Sequence, residues 1–114
     1  MAWKFLQLFW SILYTERMSI ASFAQKAIPV FKAQGVTKAA IFGSFARGDA
    51  KKNSDVDFLV RFRGEKGLLD LVQLKLTLEE KVGKKVDVIT YDSINPLLRK
   101  NILGEQKIIY EGKS

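Results

Sequence analysis

The 114-residue sequence contains no histidine and no cysteine, and each absence removes a class of chemistry. Without cysteine there are no disulfide bonds, no thiolate nucleophiles and no cysteine-ligated zinc sites. Without histidine there is no Ser-His-Asp triad, no histidine general base and no histidine-ligated metal. Any reaction that the chain catalyses therefore uses carboxylates, hydroxyls, lysine, arginine, backbone amides and hard metal ions.

The length fits one small domain, and the apolar fraction of 47% is enough to form a hydrophobic core. The 19 lysine and arginine residues outnumber the 12 aspartate and glutamate residues, which gives a net charge of +7. This excess favours an anionic partner such as a nucleotide, a nucleic acid or an acidic protein surface, but a solvated basic surface explains it equally well. No basic stripe interleaved with aromatic residues is present, so charge alone selects no partner.

The first 17 residues are rich in aromatic and aliphatic side chains and include both tryptophans, Trp3 and Trp10. This run is too short and too interrupted to cross a bilayer, and it lacks a small-residue cleavage site before Met18. Three interpretations remain open: a docking helix packed on a partner or second subunit, a mis-assigned start upstream of Met18, or a membrane-surface helix. We therefore divide the chain into an apolar extension over residues 1–17 and a domain over residues 18–114, and expect a cytoplasmic protein without stable membrane insertion.

Hydrophobic periodicity and turn residues predict alternating helices and strands after the extension. The predicted helices are one capped by Ser19 and ending at Gly35, a short turn ending at Gly48, one over residues 68–82, and one capped by Ser93 and ending at Gly104. The predicted strands cover residues 38–42, 55–62, 86–90 and 107–110. Pro29 is expected to kink the first helix or delay its start. Alternating leucines at positions 74, 76 and 78 leave a strand interpretation open for the helix over residues 68–82. This order predicts an α/β fold with helices on one or both faces of a small sheet.

Three carboxylates fall on strand positions that can converge. Asp55 and Asp57 are two residues apart on one strand, so both project from the same face about 6.7 Å apart. Asp87 points away from the apolar face of the next strand-like segment. If these strands are neighbours, the three acids repel one another, and two Mg²⁺ ions would remove the repulsion and support phosphoryl or nucleotidyl transfer. Solvent-facing acids on an ordinary strand are the alternative, although Asp57 lies in an otherwise apolar strand.

A second candidate element lies upstream, where Gly43 and Ser44 follow a predicted strand and open a helical turn. A glycine at such a junction lets backbone N–H groups approach a phosphate, and the Ser44 hydroxyl can add a hydrogen bond. The segment is not a Walker A loop, because it lacks Gly-Lys-Ser/Thr. An ordinary turn with an N-cap serine is the alternative interpretation.

Together the two elements resemble the polymerase-beta-like nucleotidyltransferase superfamily, since ten residues separate Gly43-Ser44 from Asp55-Val56-Asp57. Residues 43–48 (Gly-Ser-Phe-Ala-Arg-Gly) and 54–60 (Ser-Asp-Val-Asp-Phe-Leu-Val) are more closely similar to the minimal nucleotidyltransferases (MNT). In many prokaryotes these enzymes are paired with a small HEPN-domain ribonuclease toxin. The resemblance covers about residues 19–110 and implies that family's fold, a small mixed β-sheet of about four strands with helices packed on it.

The resemblance implies a role for each residue that matches the family's motif. Gly43 and Ser44 would hold the β and γ phosphates of a nucleoside triphosphate. Asp55 and Asp57 would ligate both Mg²⁺ ions. Asp87 would ligate the catalytic ion and help to activate the attacking hydroxyl.

The resemblance also implies a reaction, which is Mg²⁺-dependent transfer of AMP from ATP to a tyrosine hydroxyl of a HEPN toxin. The enzyme would thereby act as the toxin's antitoxin, in a hetero-oligomer and without a direct nucleic-acid partner. Two alternatives remain open: transfer to a small-molecule acceptor such as an aminoglycoside, and a non-catalytic antitoxin that masks its partner by binding. Arg47 and Arg61 are candidate phosphate contacts, and a plain surface role is equally open for each.

Overall fold

The structure is a computed structural model that describes residues 20–112. The elements in this range are α1 (Ile20–Ala33), β1 (Val36–Phe42), α2 (Gly43–Arg47), β2 (Val56–Phe62), α3 (Leu68–Val82), β3 (Val86–Thr90), a 3-10 turn (Tyr91–Ser93), α4 (Arg99–Glu105) and β4 (Lys107–Glu111). None of these helices is long and apolar enough to cross a membrane. The predicted extension over residues 1–17 and the predicted Ser19 cap lie outside the described residues.

The four strands form one mixed sheet in the order β3-β2-β1-β4. The central strand β1 pairs antiparallel with both β2 and β4, whereas β2 and β3 are parallel. A parallel pair needs a crossover connection, and α3 provides it between β2 and β3. The predicted fold, a small mixed sheet of about four strands with helices packed on it, is confirmed.

The alternation of side chains along β2 divides the sheet into two faces. On one face, α1 and α3 cover the larger core, which includes the fully buried Phe58 and Leu78. On the other face, a smaller core forms around Leu59, Tyr91 and Ile94, with the partly buried Ile102 and Leu103 of α4 packed against it. The polar positions of β2 lie on this second face, because successive residues of a strand point to opposite sides.

α3 resolves the ambiguity that its alternating leucines created. Leu74 and Leu78 are fully buried one helical turn apart, whereas 60% of the Leu76 surface is exposed. In a strand, all three side chains would lie on the same face. The helical interpretation over residues 68–82 is therefore confirmed.

α1 runs through Pro29 without interruption, from Ile20 to Ala33. Of the two predicted effects of Pro29, the delayed start of this helix is therefore wrong, and the kink stays a prediction. Proline lacks the N–H that would bond to the preceding turn, and Pro29 is on the exposed side of the helix. Water can therefore satisfy the carbonyl group that is left without its partner.

The last helix begins later than predicted. Ser93 lies in the 3-10 turn, where its hydroxyl accepts a hydrogen bond from the N–H of Thr90 at 3.2 Å instead of capping α4. Asn95 then forms a separate turn, in which its side-chain Oδ1 accepts from the N–H of Leu97 at 2.9 Å. Because asparagine before a proline favours such a turn, α4 begins only at Arg99. It ends at Glu105, one residue beyond the predicted stop at Gly104.

Candidate active site

Two of the predicted acids come from neighbouring strands. Asp57 and Asp87 are each the second residue of their strand, and they are register partners across the parallel β2–β3 pair. Parallel neighbours lie about 4.8 Å apart, and both positions belong to the face of the sheet that carries α4. The structure therefore brings Asp57 and Asp87 side by side.

Asp55 lies just before β2 and is exposed. Asp55 is nevertheless close enough to Asp57 for its negative charge to contribute to the raised pKa of the Asp57 carboxyl. Within residues 20–112, no three acidic side chains are close enough to enclose a metal ion by themselves. The site therefore consists of the Asp57–Asp87 pair, with Asp55 at its exposed edge.

The end of β1 brings Gly43 to the same place. Phe42 is the register partner of Asp57, and Gly43 follows it with a φ of 74°, in the left-handed region that favours glycine. A Cβ atom on Gly43 would overlap a carboxylate oxygen of Asp57. Only glycine therefore lets this segment approach the acid so closely.

Ser44 is the first residue after this close approach, and it lies in the five-residue helix α2. Its carbonyl oxygen accepts hydrogen bonds from the N–H groups of Gly48 and Asp49, both at 3.0 Å, which close the turn. Within residues 20–112, the half-buried Ser44 hydroxyl has no protein partner. That hydroxyl is therefore available to a ligand.

Glu105, at the end of α4, contacts the same segment. The N–H of Gly43 donates to Glu105 Oε1 at 3.0 Å, and Arg47 Nη1 donates to Glu105 Oε2 at 3.2 Å. Arg47 also forms an ion pair with Asp49 at 3.3 Å, and both carboxylates raise the pKa of its guanidinium. Sequence reasoning missed Glu105, because an isolated acid 62 residues away from Gly43 carries no motif spacing.

The pKa of Asp57 is raised to about 6. Burial is the largest cause, because it disfavours the charged carboxylate, and repulsion from Asp87 and Asp55 adds to it. Arg47 partly opposes the shift, whereas Glu105 increases it. At neutral pH the site therefore holds negative charge that the protein itself does not neutralise.

This donor set fits Mg²⁺. The ion prefers oxygen ligands and is commonly held by one or two carboxylates, with the phosphates of a substrate completing its coordination. The Asp57–Asp87 pair supplies such carboxylates, and uncompensated negative charge is what a divalent cation would offset. A closed cage of three acids is not required for such a site.

Arg61 lies away from this site. It is on the same face of β2 as Asp57 but four residues further along, which is about 13 Å. Its guanidinium packs over the ring of Tyr91, 5.0 Å from the ring centroid, and Lys38 lies 5.1 Å from the same centroid. Of the two candidate arginines, the structure therefore brings only Arg47 to the acids.

Both the sequence and the fold are similar to those of known proteins. The family described as polymerase beta nucleotidyltransferase matches residues 25–114. A Methanocaldococcus jannaschii protein that bears the name of a protein adenylyltransferase is 53% identical over 88 residues, which cover 77% of this chain and 95% of that protein. A solved structure of a minimal nucleotidyltransferase is 34% identical, with a TM-score of 0.67 over 77% of this chain and 90% of that one.

A likeness of fold extends to a solved complex of tri-AMPylated Shewanella oneidensis HEPN toxin with an MNT antitoxin. A chain of that complex has a TM-score of 0.63 and 17% identity, over 82% of this chain and 72% of its own. The family match includes Gly43, Ser44 and all three predicted acids. The chain therefore belongs to the polymerase beta nucleotidyltransferase family, and it is a minimal nucleotidyltransferase.

Proposed function

We propose that the chain is a Mg²⁺-dependent protein adenylyltransferase that transfers AMP from ATP to a tyrosine hydroxyl of a HEPN ribonuclease toxin, and so acts as its antitoxin. The observation that carries the proposal is the pairing of Asp57 with Asp87 beside Gly43 and Ser44. The adenylyltransferase name of the Methanocaldococcus jannaschii relative supports AMP as the transferred group. The complex of an AMPylated HEPN toxin with an MNT antitoxin supports the class of acceptor.

In this proposal, Asp55, Asp57 and Asp87 hold Mg²⁺. When bound, the ion would neutralise phosphate charge and lower the pKa of the attacking hydroxyl. Gly43 lets the segment that carries Ser44 lie directly against Asp57, and the Ser44 hydroxyl donates to the β and γ phosphates. These contacts orient the triphosphate, which lowers the entropic cost of reaching the reactive geometry.

The transfer balances without a further reagent. The hydroxyl oxygen of the acceptor forms a bond to the α-phosphorus of ATP, and its proton passes to the Asp87 carboxylate. The bond from the α-phosphorus to the oxygen that bridges to the β-phosphate breaks, and pyrophosphate leaves with the electron pair. Asp87 is exposed, so an acceptor on a second protein can reach it.

The test is transfer from ATP labelled on either the α or the γ phosphate, in the presence of Mg²⁺ and the candidate HEPN toxin. We expect label to reach the toxin only from ATP labelled on the α phosphate. This labelling should be lost when the modified tyrosine of the toxin is replaced by phenylalanine. The Asp57→Asn variant should transfer at least about a hundredfold more slowly, because it removes a charged group from the reacting centre.

Asp70→Asn is the matched control, because Asp70 lies at the opposite end of the sheet and bonds to the N–H of Gly67 at the start of α3. Its rate of transfer should match that of the unaltered chain. Transfer of the γ label would identify a kinase and overturn the proposal. Neutralisation of the toxin by Asp57→Asn without any label transfer would instead indicate an antitoxin that masks its partner.

A further inference from the structure

One carboxylate joins both ends of α2. Glu105 Oε1 accepts a hydrogen bond from the N–H of Gly43, the first residue of α2, at 3.0 Å. Glu105 Oε2 accepts from Nη1 of Arg47, the last residue of α2, at 3.2 Å. Ser44 lies between these two anchored residues, and the Glu105 side chain is only 23% exposed.

α2 needs such support from outside. A helix of five residues is far shorter than a helix that is stable by itself in water, and its first N–H groups have no acceptors within the helix. Phe42 precedes the helix and makes no side-chain capping bond. Glu105 supplies an acceptor from α4, so a contact across 62 residues of sequence helps to hold the first residue of α2 in place.

We propose that Glu105 is a positioning residue for nucleotide binding. It holds Gly43 and Arg47 so that the Ser44 hydroxyl is presented to the phosphates of a nucleoside triphosphate. Both oxygens of Glu105 already accept hydrogen bonds, so it acts through α2 and does not itself hold the substrate. This role rests on the proposed function and adds a determinant of nucleotide affinity to it.

The primary measurement is the affinity of the full chain for ATP in the presence of Mg²⁺, by calorimetry and without an acceptor. Glu105→Ala should raise the Kd for ATP about tenfold, since it removes a charged hydrogen-bond acceptor from each end of α2. In AMP transfer, KM for ATP should rise by a similar factor, whereas kcat should change by less than about threefold. Glu105→Gln should recover most of the affinity, because its amide oxygen still accepts from the N–H of Gly43.

Two comparisons separate positioning from loss of stability. Asp70→Ala removes a similar bond, at 2.9 Å to the N–H of Gly67, at the far end of the molecule, and should leave the Kd unchanged. Arg47→Ala combined with Glu105→Ala should weaken ATP binding less than the product of the two single effects, because the residues act through one contact. If Glu105→Ala does not fold, Glu105→Asp replaces it in the measurement. The shorter aspartate side chain cannot reach both partners, so the Kd for ATP should again rise.

An unchanged Kd in folded Glu105→Ala would overturn the inference, and so would a lower Kd, which would mean that Glu105 competes with the phosphates. An equal rise in the Kd for ATP in Asp70→Ala would mean that both substitutions act through a general loss of stability. This result would also overturn the inference. If the chain binds ATP but transfers no AMP, the proposed function fails while the effect on Kd can still confirm the role of Glu105. If it binds no ATP, both fail.

Discussion

Gly43 is the residue that allows the loop to approach the acids, and its replacement should damage both stability and activity. Gly43→Ala forces an alanine into the left-handed region and sets its methyl group against the Asp57 carboxylate. We expect the free energy of unfolding to fall by about 2 kcal/mol or more, and AMP transfer to fall at least about a hundredfold. Chemical denaturation and the label-transfer assay measure the two effects.

Gly48→Ala is the control that separates strain from displacement of the acid. Gly48 has a similar φ of 83°, but a Cβ atom there would meet nothing within 4 Å. Gly48→Ala should lower the free energy of unfolding by about 1 kcal/mol, which is the strain expected for an alanine in the left-handed region. The rate of AMP transfer should fall less than about tenfold, because the acids are not displaced. Equal losses of transfer in both variants would contradict the importance of the contact between Gly43 and Asp57.

The raised pKa of Asp57 makes the stability of the protein depend on pH. In the folded chain this carboxyl keeps its proton up to a pH of about 6, whereas in the unfolded chain it ionises near pH 4. Between these values the folded state binds more protons, so the free energy of unfolding falls as the pH rises. Asp57→Asn should therefore raise the free energy of unfolding by about 1 kcal/mol at pH 7.5. This is less than the full pKa shift implies, because solvent screens the charge of a partly exposed group.

The gain should be much smaller at pH 4, where Asp57 is already protonated in the folded chain. Denaturation at both pH values, in buffer without Mg²⁺, measures the difference. Asp92→Asn replaces an exposed acid in the 3-10 turn and serves as the control, with less than about 0.5 kcal/mol expected at either pH. A gain from Asp57→Asn that is equal at pH 7.5 and pH 4 would contradict the assigned cause.

At the scale of elements, α3 depends on its buried stripe. Leu78 is fully buried against the sheet, so Leu78→Ala should lower the free energy of unfolding by about 2–5 kcal/mol, as large-to-small changes in a core do. Leu76 lies on the same helix with 60% of its surface exposed. Leu76→Ala should therefore change stability by less than about 0.5 kcal/mol, and comparable losses in the two variants would contradict the helical register.

The boundaries of the elements show where local sequence is informative. The alternation along β2 predicted its two faces, because burial on one side imposes period two. The last helix was predicted too early, because Leu97 and Leu98 look like helix positions, although they are exposed residues of the turn that follows Asn95. A local pattern of apolar residues cannot tell whether those residues have a surface to pack against.

At the scale of the molecule, pairing between distant strands decides which residues meet. The motif predicted that Gly43, Ser44 and the acids act together, but it did not give the strand order that makes Asp57 and Asp87 register partners. Glu105 was missed for the same reason, because it reaches the site only when β4 pairs with β1 and brings the end of α4 beside Gly43. Such contacts depend on topology, which no local spacing encodes.

The sheet order also affects how the protein behaves in concentrated solution. Within the described part of the chain, the edge strands are β3 and β4, and each is only five residues long. Charged side chains lie along both, with the exposed Asp87 on β3 and the exposed Lys107 and Glu111 on β4. Short edges that carry charge resist pairing with the strands of another copy. The acid at the candidate site thus also protects its edge of the sheet against aggregation.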